Sequence, residues 1–125
     1  MELTNAQIAE AFSGHHFAQA YPRLAPDLRW VLVGGPTLVG AEAAIAACEE
    51  TVTGLAEITT RFTRFKTVVG EGSVVVDSIA EYAGDDGTTT VASCDLYDFS
   101  AEGLVVEITS YTVELTPEDT AEPDS

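Results

Sequence analysis

Thr90-Val91-Ala92-Ser93-Cys94-Asp95-Leu96-Tyr97-Asp98-Phe99 alternates along its length, so it reads as a strand with two unlike faces. Val91, Ser93, Asp95, Tyr97 and Phe99 share one face, and Cys94, Leu96 and Asp98 the other. Working outward, Ser100-Ala101-Glu102-Gly103 reads as a turn, and Leu104 to Leu115 as the returning strand. On the other side, Gly84-Asp85-Asp86-Gly87 reads as a hairpin turn after a strand from Ser73 to Ala83. A further strand runs from Ile58 to Val69. The second half of the chain is therefore an antiparallel meander.

The first half changes period. Thr4-Asn5-Ala6-Gln7 fits a capping box, with Ile8, Ala9, Ala11 and Phe12 as the apolar stripe of the helix it opens and Ser13-Gly14 as its break. Phe17, Ala20, Tyr21 and Leu24 recur at helical spacing and predict a second short helix ending near Pro22 or Pro26. Leu28 to Val33 is rich in β-formers and stops at Gly34-Gly35-Pro36. Gly40 precedes a third helix, whose apolar face carries Ile45, Cys48, Val52 and Leu55 and which ends at or near Gly54. Helices early and strands late predict an α+β domain with the helices on one face of a curved sheet.

The 125 residues suffice for one domain. At 46% hydrophobic residues the chain can build a real core. Five Lys and Arg against 21 Asp and Glu give a net charge of -16, which argues against nucleic acid and anionic membrane surfaces as partners. Nor does any apolar run approach the ~18 residues of a membrane span, and the N-terminus lacks a signal-like apolar core. A cytoplasmic protein is expected. Cys48 and Cys94 lack C-x-x-C spacing and read as reduced thiols. The domain is expected over residues 1–115, with 116–125 an acidic disordered tail.

The order of elements and several local segments resemble the SnoaL-like branch of the nuclear transport factor 2-like (NTF2-like) superfamily, over about residues 4 to 115. The carriers are Phe12-Ser13-Gly14-His15-His16-Phe17, Leu24-Ala25-Pro26-Asp27-Leu28-Arg29-Trp30, Gly40, and the hairpin from Asp95 through Gly103 to Ile108-Thr109-Ser110-Tyr111. The resemblance implies an α+β cone in which a bent antiparallel sheet wraps three N-terminal helices around an apolar cavity. It also implies a cyclase-, isomerase- or hydratase-type function, or a non-catalytic role in binding a small apolar molecule; the sequence has no H-x-E, H-x-x-x-H or Cys/His cluster, so no metal or other cofactor is expected. A homodimer paired through the outer sheet face is expected, with Thr59, Thr63, Phe65, Thr109 and Tyr111 supplying part of that surface.

Asp95 is the leading candidate for chemistry. Aspartate is disfavoured inside strands, and on an apolar concave face desolvation raises its pKa, so that it holds a proton it can donate. In the resemblance it falls where ketosteroid isomerases carry a proton-donating Asp. His15 and His16 are the other candidates, since imidazole is the natural base near neutral pH, and a contact of His16 with an Asp would make His16 the catalytic base. Strand parity and the resemblance together predict a substrate pocket lined by Phe12, Trp30, Leu32, Val76, Ser78, Ser93, Tyr97, Ile108 and Ser110. Tyr111 has the opposite parity and should lie outside. The isomerase pattern is incomplete, because its second carboxylate would fall at Val31 or Leu32 and its helix-1 tyrosine near Ile8. The Asp-Arg-Asp arrangement of limonene epoxide hydrolases has no match among the five basic residues.

Overall fold

The structure, a computed structural model, describes residues 2–116. The tail expected from 116 onward therefore lies, from 117, outside the described residues. Helix α1 (Asn5–Ser13) opens with the expected capping box: the Gln7 amide donates to Thr4 Oγ1 (3.1 Å) and the Thr4 amide to Gln7 Oε1 (2.9 Å). Each side chain thus satisfies an amide that the first turn leaves without a helical partner.

The second expected helix is absent. Phe17–Gln19 and Tyr21–Arg23 form two 3-10 turns instead, and Leu24 already begins strand β1 (Leu24–Leu32). Pro22 sits at the start of the second turn, where its missing amide costs nothing, but its ring prevents a longer helix running through it. β2 (Thr37–Val39) is a three-residue strand beyond the Gly34-Gly35-Pro36 turn. Helix α2 (Ala41–Gly54) follows Gly40 as expected, and Cys48 and Ala44 are its buried residues, whereas Val52 faces solvent. Two α-helices and two 3-10 turns thus replace the three helices expected.

Strands β3 (Thr59–Val69), β4 (Ser73–Gly84), β5 (Gly87–Phe99) and β6 (Val105–Leu115) form the antiparallel meander. The sheet order is β2-β1-β6-β5-β4-β3, and β1 lies parallel to β6. The sheet is therefore mixed rather than antiparallel. That pairing joins strands far apart in sequence and needs the whole intervening chain as its crossover, so no local pattern announces it.

Helix α1 packs on β3, β4 and β5, and α2 on β1 and β2. Ile8, Phe12, Phe17, Leu28, Val74, Val76, Tyr97 and Ile108 form the centre of the core. Arg23 fastens one end. Its guanidinium donates to the carbonyls of Gly103 (2.6 Å) and Leu3 (2.8 Å) and to Asn5 Oδ1 (2.8 Å), tying the chain start and α1 to the β5–β6 turn. Gly103 has φ +83°, which favours glycine, and a Cβ there would stand 2.7 Å from the Arg23 guanidinium and push it from its place.

A register shift between Phe62 and Arg64 breaks the alternation of β3. Phe62 pairs with Ala80 and Phe65 with Ser78, both inward-facing, while Arg64 and Lys66 pair with the outward Ile79 and Asp77. The bulge at Thr63 puts Phe65 on the side of Phe62, their rings 5.2 Å apart, and so removes Phe65 from the outer surface assigned to it.

Candidate functional site

Between the end of α1 and the inner sheet face lies a cavity of about 220 Å³. Phe12, Phe17, Trp30, Leu32 and Phe62 supply its apolar wall. Ser78, Ala80 and Tyr82 reach it from β4, Val91, Ser93 and Asp95 from β5, and Ser110 and Thr112 from β6. Each of these sets follows the period of two. Ser13 and His15 close it from the end of α1, and Thr51 from α2.

Asp95 is held by two hydroxyl relays. Trp30 Nε1 donates to Ser110 Oγ (2.9 Å). An indole N–H can only donate, so the hydroxyl hydrogen of Ser110 remains free for Asp95, its register partner across β5 and β6, whose charged form it favours. Ser13 Oγ donates to Asp95 Oδ2 (2.8 Å) and lies 2.6 Å from the Tyr97 hydroxyl. With the single Ser13 hydrogen committed to Asp95, Tyr97 is the donor of that second contact.

Desolvation pushes the Asp95 carboxyl above its ordinary range, against the pull of the Ser110 and Ser13 hydrogen bonds and of the nearby His15 ring. His15 moves the opposite way. Burial holds its pKa below the usual imidazole value, against the attraction of Asp95 and aided by repulsion from His16. Its Nε2 lies 3.4 Å from the Tyr82 hydroxyl, and the two rings are stacked at 5.9 Å. Tyr82 is raised in pKa by burial and then by the Asp95 charge. The pKa of Asp95 is thus raised and that of His15 lowered, and both residues line the one cavity.

Helix α1 places His15 there by an uncommon ending. The His16 amide donates to the Ala11 carbonyl (2.8 Å) and the His15 amide to the Phe12 carbonyl (3.2 Å), the paired bonds of a Schellman motif. The left-handed residue that this motif needs is His15 itself, at φ +68°, the one non-glycine with positive φ among the described residues.

Of the residues expected from sequence, Asp95, Phe12, Trp30, Leu32, Ser78, Ser93 and Ser110 line the cavity. Val76, Tyr97 and Ile108 share its face but are wholly buried beneath it, in the core against the helices. His16 is exposed and faces a surface groove instead. Sequence parity had the inward Val91, Ala80 and Thr112 within reach, and two more steps along β4 lead to Tyr82. Phe62 has inward parity on β3 but was not singled out, Ser13 was hidden by the helix ending, and of the two candidate histidines that ending brings His15 to the cavity.

No protein-family model matches the sequence, and no curated protein matches it. Solved structures do. An NTF2-like protein of unknown function from Cytophaga hutchinsonii superposes with a TM-score of 0.74 at 22% identity, covering 85% of this chain and 93% of that one. A protein assigned as a SnoaL-like polyketide cyclase, from Jannaschia, gives 0.69 at 18% identity, covering 86% and 84%. An LEH-like epoxide hydrolase of M. tuberculosis gives 0.64 at 14%, covering 87% and 82%. The chain has the NTF2-like fold, shared by proteins described as having different activities.

Proposed function

We propose that the cavity binds a small apolar carbonyl compound and transfers a proton on it, as a cyclase- or isomerase-type enzyme without metal. The observation that carries this reading is the pairing of a carboxyl biased toward its acid form with an imidazole biased toward its base form in one apolar-walled space. Asp95 donates its proton to the carbonyl oxygen of the substrate. Neutral His15 takes a proton from the adjacent carbon, and the bond pair so released forms the enol. Reversal at the same or another carbon gives exchange or isomerisation. His15 takes the role that sequence reading assigned to His16, and Ser78 and Ser93 orient the oxygen.

Deuterium exchange tests this without knowledge of the natural substrate. A small ketone incubated with the protein in heavy water is expected to gain deuterium beside its carbonyl. Asp95→Asn is expected to slow that exchange by about 10²- to 10⁴-fold, the usual loss of a general acid or base, with the fold retained by circular dichroism. A panel of ketones that bind but exchange no faster than in buffer would overturn the catalytic reading.

One observation favours a second reading, binding without chemistry. Asp95 is the only carboxylate lining the cavity among the described residues, so the second carboxylate of isomerase-type sites is missing. Binding without exchange in the same assay is its signature.

A further inference from the structure

We infer that the ligand is a single-ring compound of about nine non-hydrogen atoms, and that Phe62 and His15 set this limit. The inference rests on the reading of the cavity as a small-molecule site and concerns which molecule fits. An apolar cavity of about 150 Å³ holds one benzene, about 25 Å³ for each of its six carbons. At that density the 220 Å³ beside Asp95 holds about nine atoms, one ring bearing a short carbonyl group. A fused second ring exceeds the space.

The wall that stops it is identifiable. His15 and Phe62 line both the cavity and a separate surface groove that includes Gly14, Val52, Leu55 and Thr60. Their rings, 5.7 Å apart, are the partition between the two spaces. Phe65 packs edge-on against Phe62, and Phe17 and Tyr82 hold the His15 ring, so neither ring swings aside freely. A larger ligand must displace these packed rings to seat its carbonyl beside Asp95, and that strain costs affinity.

Trp30 is the chain's single tryptophan and its indole N–H bonds Ser110 inside the cavity, so its NMR resonance reports occupancy directly. Three ketones of increasing size, acetophenone, β-tetralone and progesterone, are titrated against that signal. Acetophenone is expected to bind at least about tenfold more tightly than either larger ketone, since one misplaced carbon group in a tight pocket is worth that much. Phe62→Ala joins the groove to the cavity and is expected to bring β-tetralone to within about threefold of acetophenone, on the same scale. Ala80→Ile fills the cavity from β4 and is expected to abolish acetophenone binding. Tighter binding of β-tetralone or progesterone by the natural protein would overturn the inference, as would Phe62→Ala leaving the ranking unchanged while folded. Acetophenone binding without deuterium exchange upholds the size limit and overturns the catalytic reading alone. Failure of all three ketones to shift the Trp30 resonance overturns both.

Discussion

His15 stands where a helix of this ending most readily takes glycine, and it accepts a left-handed backbone in exchange for a ring inside the cavity. An L-residue in that region costs about 1 to 2 kcal/mol. His15→Gly and His15→Ala both remove the ring, but only glycine removes the strain. The glycine variant is expected to be more stable than the alanine variant by about 1 kcal/mol in denaturant melts, while both lose deuterium exchange. Equal stabilities would show that the backbone there carries no strain. Asp95 stores a cost of another kind. Folding raises its pKa, so its contribution to stability is fully present below the ordinary carboxylate value and is lost as pH rises through the raised native one. The stability of the natural protein relative to Asp95→Asn is therefore expected to fall as pH rises across that window.

At the scale of elements, the Arg23 junction does what no single strand or helix does, joining the chain start, a 3-10 turn and the β5–β6 turn through three hydrogen bonds. Arg23→Ala leaves the Gly103 and Leu3 carbonyls without that donor and is expected to cost about 2 to 4 kcal/mol, because bonds to a charged donor are each worth about 1.5 to 3 kcal/mol. Arg64→Ala, which removes the exposed pair with Asp77 at 2.7 Å, is expected to cost less than about 1 kcal/mol. An Arg23 variant no less stable than the Arg64 variant would contradict this contrast. These elements also show what sequence could reveal. Period-two alternation in β4, β5 and β6 placed Ser78, Ser93, Asp95 and Ser110 on one face because register transmits facing from strand to strand. The same logic failed in β3, where one bulged residue after Phe62 reversed the alternation and turned Phe65 to the inner side. It could not tell His15 from His16, since their order around a helix ending depends on backbone conformation, which no side-chain pattern encodes. Nor could it separate cavity lining from core, since Val76 and Tyr97 share the inward face and differ only in how closely α1 approaches.

On the whole molecule, charge is distributed unevenly. Arg23 is spent inside the fold, while Arg61, Arg64 and Lys66 stand on the outer sheet face. Across β4 from them, on β5 and β6, Leu96, Tyr111 and Val113 are exposed by 37%, 51% and 59%. We propose that this face pairs two copies of the chain. Sedimentation at micromolar concentration is expected to give a dimer that Tyr111→Glu dissociates, and a monomer for the natural protein would contradict it. The function proposed for the inner face turns on one proton. Carbon-detected NMR titration of the Asp95 carboxyl, with Asp95→Asn fixing the assignment, measures whether that proton is held. A midpoint above the ordinary carboxylate range is expected, as desolvation outweighs the two serine hydrogen bonds and the His15 ring. A midpoint at or below that range would mean a solvated carboxylate, and would contradict an Asp95 that carries a proton to the substrate.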